Sequence, residues 1–307
     1  GPTPSNDTNT TLTTITIKVT YQENNSDTII FDFNGSLRIK SYTASENFTN
    51  ETYTNLQGVY RFNVTINDSA GQINKTETRI VRVDSIAPSL FLESPAGTSY
   101  NTDGFVIFKY NASDATLGIK NCSLLIDGIL NTTNNTVTEG ISQNFTKFLQ
   151  NGTYNWSIEC IDYLSNVNIS ETRNITVDTT IPFLRNESVN VTLPTNVQEN
   201  VCLYVIANDT FSGVDTVRIK VKKPVSGLTD SISLSNSSTS CASGGYNWST
   251  TFLNNEVGKY IWNITNITDK AGNFNATSPD KKVNWSAQSI FFLNVTFIEP
   301  VLNFEIN

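Results

Sequence analysis

The chain has 307 residues, a formal charge of −8, four Cys and neither His nor Met. Without His it lacks the side chain that most often serves as general base, proton shuttle or metal ligand, and its acidity argues against nucleic acid as a partner. This length suits two or three domains. The cysteines, Cys122, Cys160, Cys202 and Cys241, point to an oxidising, extracytoplasmic setting. No segment reads as a signal peptide, as expected of a mature or excised chain.

In chain order, residues 1–14 are rich in Pro, Asn and Thr without an apolar period and read as a flexible lead or linker. Alternation then begins with Ile15, Ile17, Val19 and Tyr21, and two more strands flank the Asn34-Gly35 turn. A strand carrying Tyr60, Phe62 and Val64 on one face follows Gly58. It turns through Asp68, Ala70 and Gly71 and ends at Val83 and Asp84 before Pro88. The same wording returns as Gly152, Tyr154, Trp156 and Ile158, ending Val177-Asp178 before Pro182. It returns again as Gly258, Tyr260, Trp262 and Ile264, with Asp269, Ala271, Gly272 and Asn273, ending Val283-Asn284. The copies lie roughly 95–105 residues apart, the size of one β-sandwich domain. The expected architecture is therefore all-β: three tandem immunoglobulin-like or fibronectin-III-like sandwiches in a rod, over residues 15–86, 87–180 and 181–288. No stretch of ten or more residues has a helical period, and none reads as a membrane span. Residues 289–307 carry Phe291, Leu293, Val295 and Phe297 on one face. They read as a terminal strand, either the start of a further domain or one donated to a neighbouring subunit.

About 28 Asn-x-Ser/Thr sequons occur in the chain. Strand alternation alone predicts the reversed order equally often, yet only about nine Ser/Thr-x-Asn triplets are present, as chance would give. The excess is directional, and selection for N-glycan acceptors produces it. Representative acceptors are Asn63, Asn111, Asn131, Asn144, Asn155, Asn174, Asn208, Asn236, Asn263 and Asn275. Dense N-glycosylation places the protein outside the cell.

Cys122 shares a face with Leu124 and Ile126, and Cys160 with Trp156 and Ile158, so a bridge between neighbouring strands fits. It closes a loop of about forty residues, worth roughly 4 kcal/mol in the chain-entropy model. Cys202–Cys241 follows by elimination; the alternative is free buried thiols. Tyr60, Tyr154 and Tyr260 suit tyrosine corners rather than binding. Asp68 with Asp84, and Asp162 with Asp178, pair a turn carboxylate with one beside a linker, where hard oxygen ligands suit Ca²⁺. The plainer and favoured role for these Asp residues is turn formation. A Lys–Asn cross-link is disfavoured because Lys18 and Lys220 alternate outward. No nucleophile–base pair is present, and a non-catalytic protein is expected.

Asp209 with Ser212-Gly213-Val214, the Gly-x-Tyr-x-Trp strand, Asp269-x-Ala271-Gly272-Asn273 and Val177-Asp178-Thr179-Thr180-Ile181-Pro182 together resemble tandem immunoglobulin-like repeats of prokaryotic surface proteins. The sequon-dense text around Cys122 and Cys160 resembles the archaeal version. The resemblance implies an S-layer, filament or adhesin stalk, with copies of itself or neighbouring domains of a larger surface protein as partners. It also implies junction Asp residues that bind calcium. Tyr163-Leu164-Ser165 in place of x-Ala-Gly, and Asn284 in place of Asp, depart from the pattern. The alternative is an adhesion module recognising glycan or a surface protein on another cell, which requires exposed aromatic clusters.

Overall fold

The computed structural model describes residues 3–43, 45, 47–190, 195–236, 248–276 and 283–288. Among them every regular element is a strand. Strands β1 (Thr8–Thr10), β2 (Ile15–Thr20), β3 (Ser26–Phe33), β4 (Ser36–Ser41), β5 (Phe48–Tyr53), β6 (Gly58–Asp68), β7 (Ile73–Lys75) and β8 (Arg79–Val83) come first. Next are β9 (Ser89–Ser94), β10 (Ser99–Asn101), β11 (Phe105–Ser113), β12 (Ile119–Ile126), β13 (Ile129–Asn134), β14 (Ser142–Phe148), β15 (Gly152–Asp162), β16 (Val167–Ile169) and β17 (Arg173–Val177). The last are β18 (Phe183–Asn190), β19 (Thr195–Asn196), β20 (Asn200–Asn208), β21 (Val214–Lys222), β22 (Thr229–Leu234), β23 (Trp248–Leu253), β24 (Gly258–Asp269), β25 (Phe274–Asn275) and β26 (Val283–Gln288).

The strands form a larger and a smaller sheet three times over. The larger sheets run β1-β8-β6-β3-β4, β10-β17-β15-β12-β13 and β19-β26-β24-β21-β22, with β7, β16 and β25 added on the long tyrosine strands. The smaller are β2-β5, β14-β11-β9 and β18-β20-β23. Period-two alternation builds these faces: along β11, Val106, Phe108, Tyr110 and Ala112 are buried while Phe105, Ile107 and Lys109 are exposed. By contact the chain separates into two compact units. One holds Gly1–Ser99, Phe105–Leu149 and Thr153–Ile175, and the other holds Tyr100–Gly104, Gln150–Gly152 and the chain from Thr176 onward.

Residues 3–14 are not a free lead. β1 pairs in parallel with β8 (Thr8↔Val81), and the Thr3 hydroxyl bonds both the N–H and the carbonyl of Lys18. The segment lacks apolar alternation because it is a short edge whose hydrogen bonds, not its side chains, hold it. A second correction concerns the third repeat's end. Gly58 lies opposite Val83, but Gly258 lies opposite Ala287. Ala287, not Val283, therefore occupies the place of Val83, and Gln288, not Asn284, that of Asp84.

The departure at Tyr163-Leu164-Ser165 leaves the turn intact. Ser165 takes φ 69°, the left-handed conformation that Gly71 and Gly272 adopt at φ 82° and 98°. Tyr60 Oη donates to the Gln57 carbonyl (2.8 Å) and accepts from its N–H (3.1 Å); Tyr260 Oη bonds the Glu256 N–H and carbonyl likewise. Gly258, two residues before, has φ +126°, and a Cβ there would stand 2.8 Å from Pro224 Cβ. Lys18 and Lys220 are exposed.

Cys122 and Cys160 are directly opposed on β12 and β15 and are disulfide-bonded, so the bridge lies within one sheet. Both are fully buried beside Leu124, Trp156 and Ile158. Cys202 is also disulfide-bonded, and Cys241 lies outside the described residues, as does the terminal strand expected over 289–307. Replacing both Cys122 and Cys160 by Ser is expected to destabilise the second sandwich by about 2–4 kcal/mol, read as a lower denaturant midpoint. An unchanged midpoint would show that the bridge constrains nothing.

Candidate functional site: carboxylates at the repeat junctions

Each tyrosine strand ends on an Asp whose side chain closes the following turn. Asp162 Oδ1 accepts from the N–H groups of Leu164 (2.7 Å) and Asn166 (2.9 Å). Asp269 Oδ1 accepts from Gly272 (2.8 Å) and Asn273 (2.9 Å), and Asp68 Oδ1 from Ala70 (3.0 Å) and Gln72 (2.7 Å). The turn-forming role is therefore present in all three repeats.

The fourth residue after Asp162 and Asp269 reaches further. Asn166 Nδ2 donates to Asp162 Oδ2 (2.6 Å) and to the Asp84 carbonyl (3.1 Å). Asn273 Nδ2 donates to Asp269 Oδ2 (2.9 Å) and to the Asp178 carbonyl (2.8 Å). One asparagine amide thus ties a repeat's turn to the segment entering that repeat. Two residues after it in each case, Asn168 Nδ2 donates to the Pro88 carbonyl and Asn275 Nδ2 to that of Pro182.

A third carboxylate joins from the end of the alternating strand. Asp114 Oδ1 accepts from Thr116, Leu117 and Gly118, and Asp209 Oδ2 from Phe211 and Gly213. The result is two triads, Asp84–Asp114–Asp162 and Asp178–Asp209–Asp269, each offering three carboxylate oxygens within 4.8 Å of one another. Asp84, Asp162 and Asp178 are fully buried and Asp269 nearly so.

This overturns the pairing read from the sequence. Asp84 meets Asp162, and Asp178 meets Asp269; each junction carboxylate joins the turn of the repeat that follows it, not of its own. Asp68 joins no such group among the described residues. The sequence reading did not assign Asp114, Asp209 or Asp269 as ligands. The signal was present: Asp114 and Asp209 each stand four residues before a Gly, and Asp162 and Asp269 four before an Asn.

Three anions this close repel by about 3 kcal/mol per pair at an effective dielectric of about 20. The two triads manage this differently. Burial pushes the Asp84 carboxyl above its ordinary range, and Asp114 and Asp162 push it further. Burial acts the same way on Asp178, but hydrogen bonds from Ser212 and Thr180 outweigh it and hold that group low. In each triad one buried oxygen has no hydrogen-bond partner, Asp114 Oδ2 and Asp209 Oδ1. An oxygen-only donor set with an orphaned acceptor on the equivalent residue of both copies fits a hard divalent cation such as Ca²⁺.

Of the ten representative sequons, Asn131, Asn144, Asn155 and Asn236 are exposed, and Asn111, Asn174, Asn208, Asn263 and Asn275 are half-buried. Asn63 is only 7 % exposed and donates to the Thr78 hydroxyl. A glycan there would have to be attached before the fold closes.

The sequence model for the bacterial Ig-like domain matches residues 7–85 and 165–286. No curated protein matches the chain. Among solved structures, three consecutive titin domains align with 92% of this chain and 97% of their own, at 13% identity and a TM-score of 0.42. The fibronectin(III)-like modules of Clostridium thermocellum CbhA align with 57% of this chain and 91% of theirs, at 19% identity and TM-score 0.30. Extracellular domains 3–5 of Drosophila OTK align with 94% and 95%, at 12% identity and TM-score 0.29.

Asn273→Ala removes both amide bonds of the third repeat's turn. It is expected to cost about 1–2 kcal/mol and to speed amide exchange at Asp178 and Thr180 in hydrogen-exchange mass spectrometry. Unchanged protection there would mean that the asparagine does not hold the incoming segment.

Proposed function

The chain belongs to the bacterial Ig-like domain family, and from that premise we propose that it is a non-catalytic, N-glycosylated extracellular structural chain. It serves as a run of Ig-like modules in a surface layer, filament or adhesin stalk, with Ca²⁺ stiffening its junctions. The observation that carries this reading is the triad that recurs, residue for residue in role, at both junctions. Asp84, Asp114 and Asp162 would hold one ion and Asp178, Asp209 and Asp269 the other. Bound Ca²⁺ supplies positive charge that cancels the repulsion among buried carboxylates; it carries out no reaction. The directional sequon excess and the buried Cys122–Cys160 bridge support an oxidising, glycan-bearing setting.

The adhesion alternative rests on one patch. Phe105 and Phe148 are both more than half exposed, with ring centroids 5.1 Å apart, and Ile107 lies beside them. Asn144 and Asn111 lie on the same β14–β11 pair, within reach of that patch. Both head sequons, so glycans there would lie over it. Trp156, Trp248 and Trp262 are buried. The structural reading is favoured.

Millimolar Ca²⁺ is expected to raise the thermal midpoint of the intact chain by several degrees relative to a chelator, the response to saturating a weak extracellular-type site. Asp162→Asn and Asp269→Asn should each remove about half of that rise, and Asp68→Asn should leave it whole. No calcium-dependent shift would refute the cation reading.

Removing a charge carries its own signature. Without calcium, Asp84→Asn should be neutral to stabilising, because it relieves a desolvated anion beside two others. In calcium it should destabilise. The sign change, read in one melting experiment, separates a cation site from a turn.

Glycopeptide mass spectrometry of native material should find glycan-bearing Asn131, Asn144, Asn155 and Asn236 and a bare Asn63. A wholly unmodified native chain would sink the glycoprotein reading.

A further inference from the structure

The third sandwich carries a row of cations with no anions to match. Along β21, Val217, Ile219 and Val221 are buried, and Arg218, Lys220 and Lys222 alternate with them on the outer face of the sheet. Successive cations stand about 7 Å apart along the strand. Among the described residues none of the three makes an ion pair. Six other Lys and Arg residues do, and the neighbouring Asp230 is turned to Lys223 (3.1 Å). Asp215, three residues before Arg218, is exposed and pairs with none of them.

What these cations face instead is sugar acceptors. Lys220 lies directly opposite Asn263, and Arg218 opposite Asn266. Both asparagines head sequons. Three residues apart, they would fall on opposite faces of a regular strand. A bulge at Thr265 puts them on the same one: Ile264 and Ile267, also three apart, are both buried in the core. Beside them lies a cavity of about 260 Å³ whose polar lining is Arg218, Lys220, Ser231, Ser233, Thr265 and Asn266. These residues offer cations, hydroxyls and an amide, and no carboxylate. Asn266 Oδ1 is buried there without a hydrogen-bond partner, a place for a sugar hydroxyl to donate.

The pattern recurs outside this face. In the described registers no Lys or Arg stands opposite an Asp or Glu, the common cross-strand choice. Five stand opposite the Asn of a sequon: Asn9↔Arg82, Asn50↔Lys18 and Asn144↔Lys109 join the two above. In the first sandwich the cation is already engaged, Arg82 with Asp7 and Lys18 over the Phe48 ring. Lys109, like Arg218 and Lys220, makes no ion pair among the described residues and is exposed.

We propose that the N-glycans on Asn263, Asn266 and Asn144 are acidic, with uronate or sulfate groups that fold back onto Lys220, Arg218 and Lys109. This rests on the glycoprotein reading above and names the class of sugar. A neutral glycan would cover these cations without supplying a counter-charge, at a cost in desolvation. Exposed cations hold a free ligand weakly. A sugar tethered at the facing Asn needs little affinity of its own, because attachment keeps it at high effective concentration. A separate acidic polymer would also meet the glycans on Asn263 and Asn266 before it met the cations.

Two measurements test it. Glycopeptide mass spectrometry of native material, with methyl esterification and desulfation of the released glycans, is expected to find a uronic acid or a sulfate ester on Asn263 or Asn266. A neutral glycan there overturns the proposal and leaves the glycoprotein reading standing; a chain with no glycan at all overturns both. Bare Asn263 and Asn266 on an otherwise glycosylated chain also overturn it. Retention of that chain on an immobilised uronate polysaccharide would then reassign the face to a separate polymer. The second measurement is the melting of Arg218→Gln/Lys220→Gln against the unaltered chain in saturating Ca²⁺, each made both in the source organism and in a host that adds no glycan. In the glycosylated pair the substitutions are expected to lower the midpoint by about 4 °C at low salt and by nothing at 1 M salt, where screening is nearly complete. In the bare pair they should leave it unchanged or raise it, since they relieve repulsion among like charges. An equal loss in both pairs, or no loss in the glycosylated one, overturns the proposal. If the bare chain does not fold, the composition of the glycans on Asn263 and Asn266 decides the matter.

Discussion

Everything at the junctions depends on one amide. A side-chain carboxamide four residues past the end of the tyrosine strand holds its own Asp with one hydrogen and the preceding segment's carbonyl with the other. A carboxylate at that position offers no hydrogen, and a hydroxyl offers only one, so neither makes both bonds. With the amide in place, the incoming Asp is drawn beside the turn Asp. The third acid arrives because strand alternation ends on it. Asp114 and Asp209 point toward the junction for the reason that Val106 and Val201 point into the core: they sit an even number of residues away.

The same bonds create the electrostatic problem that defines the site. Pulling Asp84 out of water next to two carboxylates disfavours its charged form. The second triad meets the problem with donors, the hydroxyl and N–H of Thr180 and the N–H of Ser212. At the first triad Asp84 has the N–H groups of Ile86 and Leu117. The residue two after the junction Asp decides part of this difference: Thr180 carries a hydroxyl and Ile86 does not. A cation would thus relieve more at the first junction than at the second, even though the geometry is shared.

Much of the fold was legible because the chain writes it three times. Tyr60, Tyr154 and Tyr260, each two residues past a Gly, gave the sheet face, and the Asp turns gave the reversals. What was not legible was register between elements far apart. No spacing rule reveals that Gly258 faces Ala287 rather than Val283, because the loop before β26 is longer than its counterpart before β8. β5 was hidden for a different reason. Its less exposed positions hold Thr49, Glu51 and Tyr53, and Glu51 is tolerated there because Arg38 and Lys40 both pair with it. Hydrogen bonds from these two, Lys40 first, hold the Glu51 carboxyl below its usual range. The metal pairing failed on the same limit. Sequence nearness joined Asp162 to Asp178, whereas a junction Asp necessarily meets the repeat it introduces, not the one it leaves.

The polar outer faces bear on the exposed edges of a chain built wholly from strands. Edge strands invite pairing with any other edge, and proteins suppress this with charge, Pro or cover. Here charges are scarce, 48 of 307 residues, while sequons are dense. Glycans on outward Asn residues of strand faces would supply the cover that charge does not.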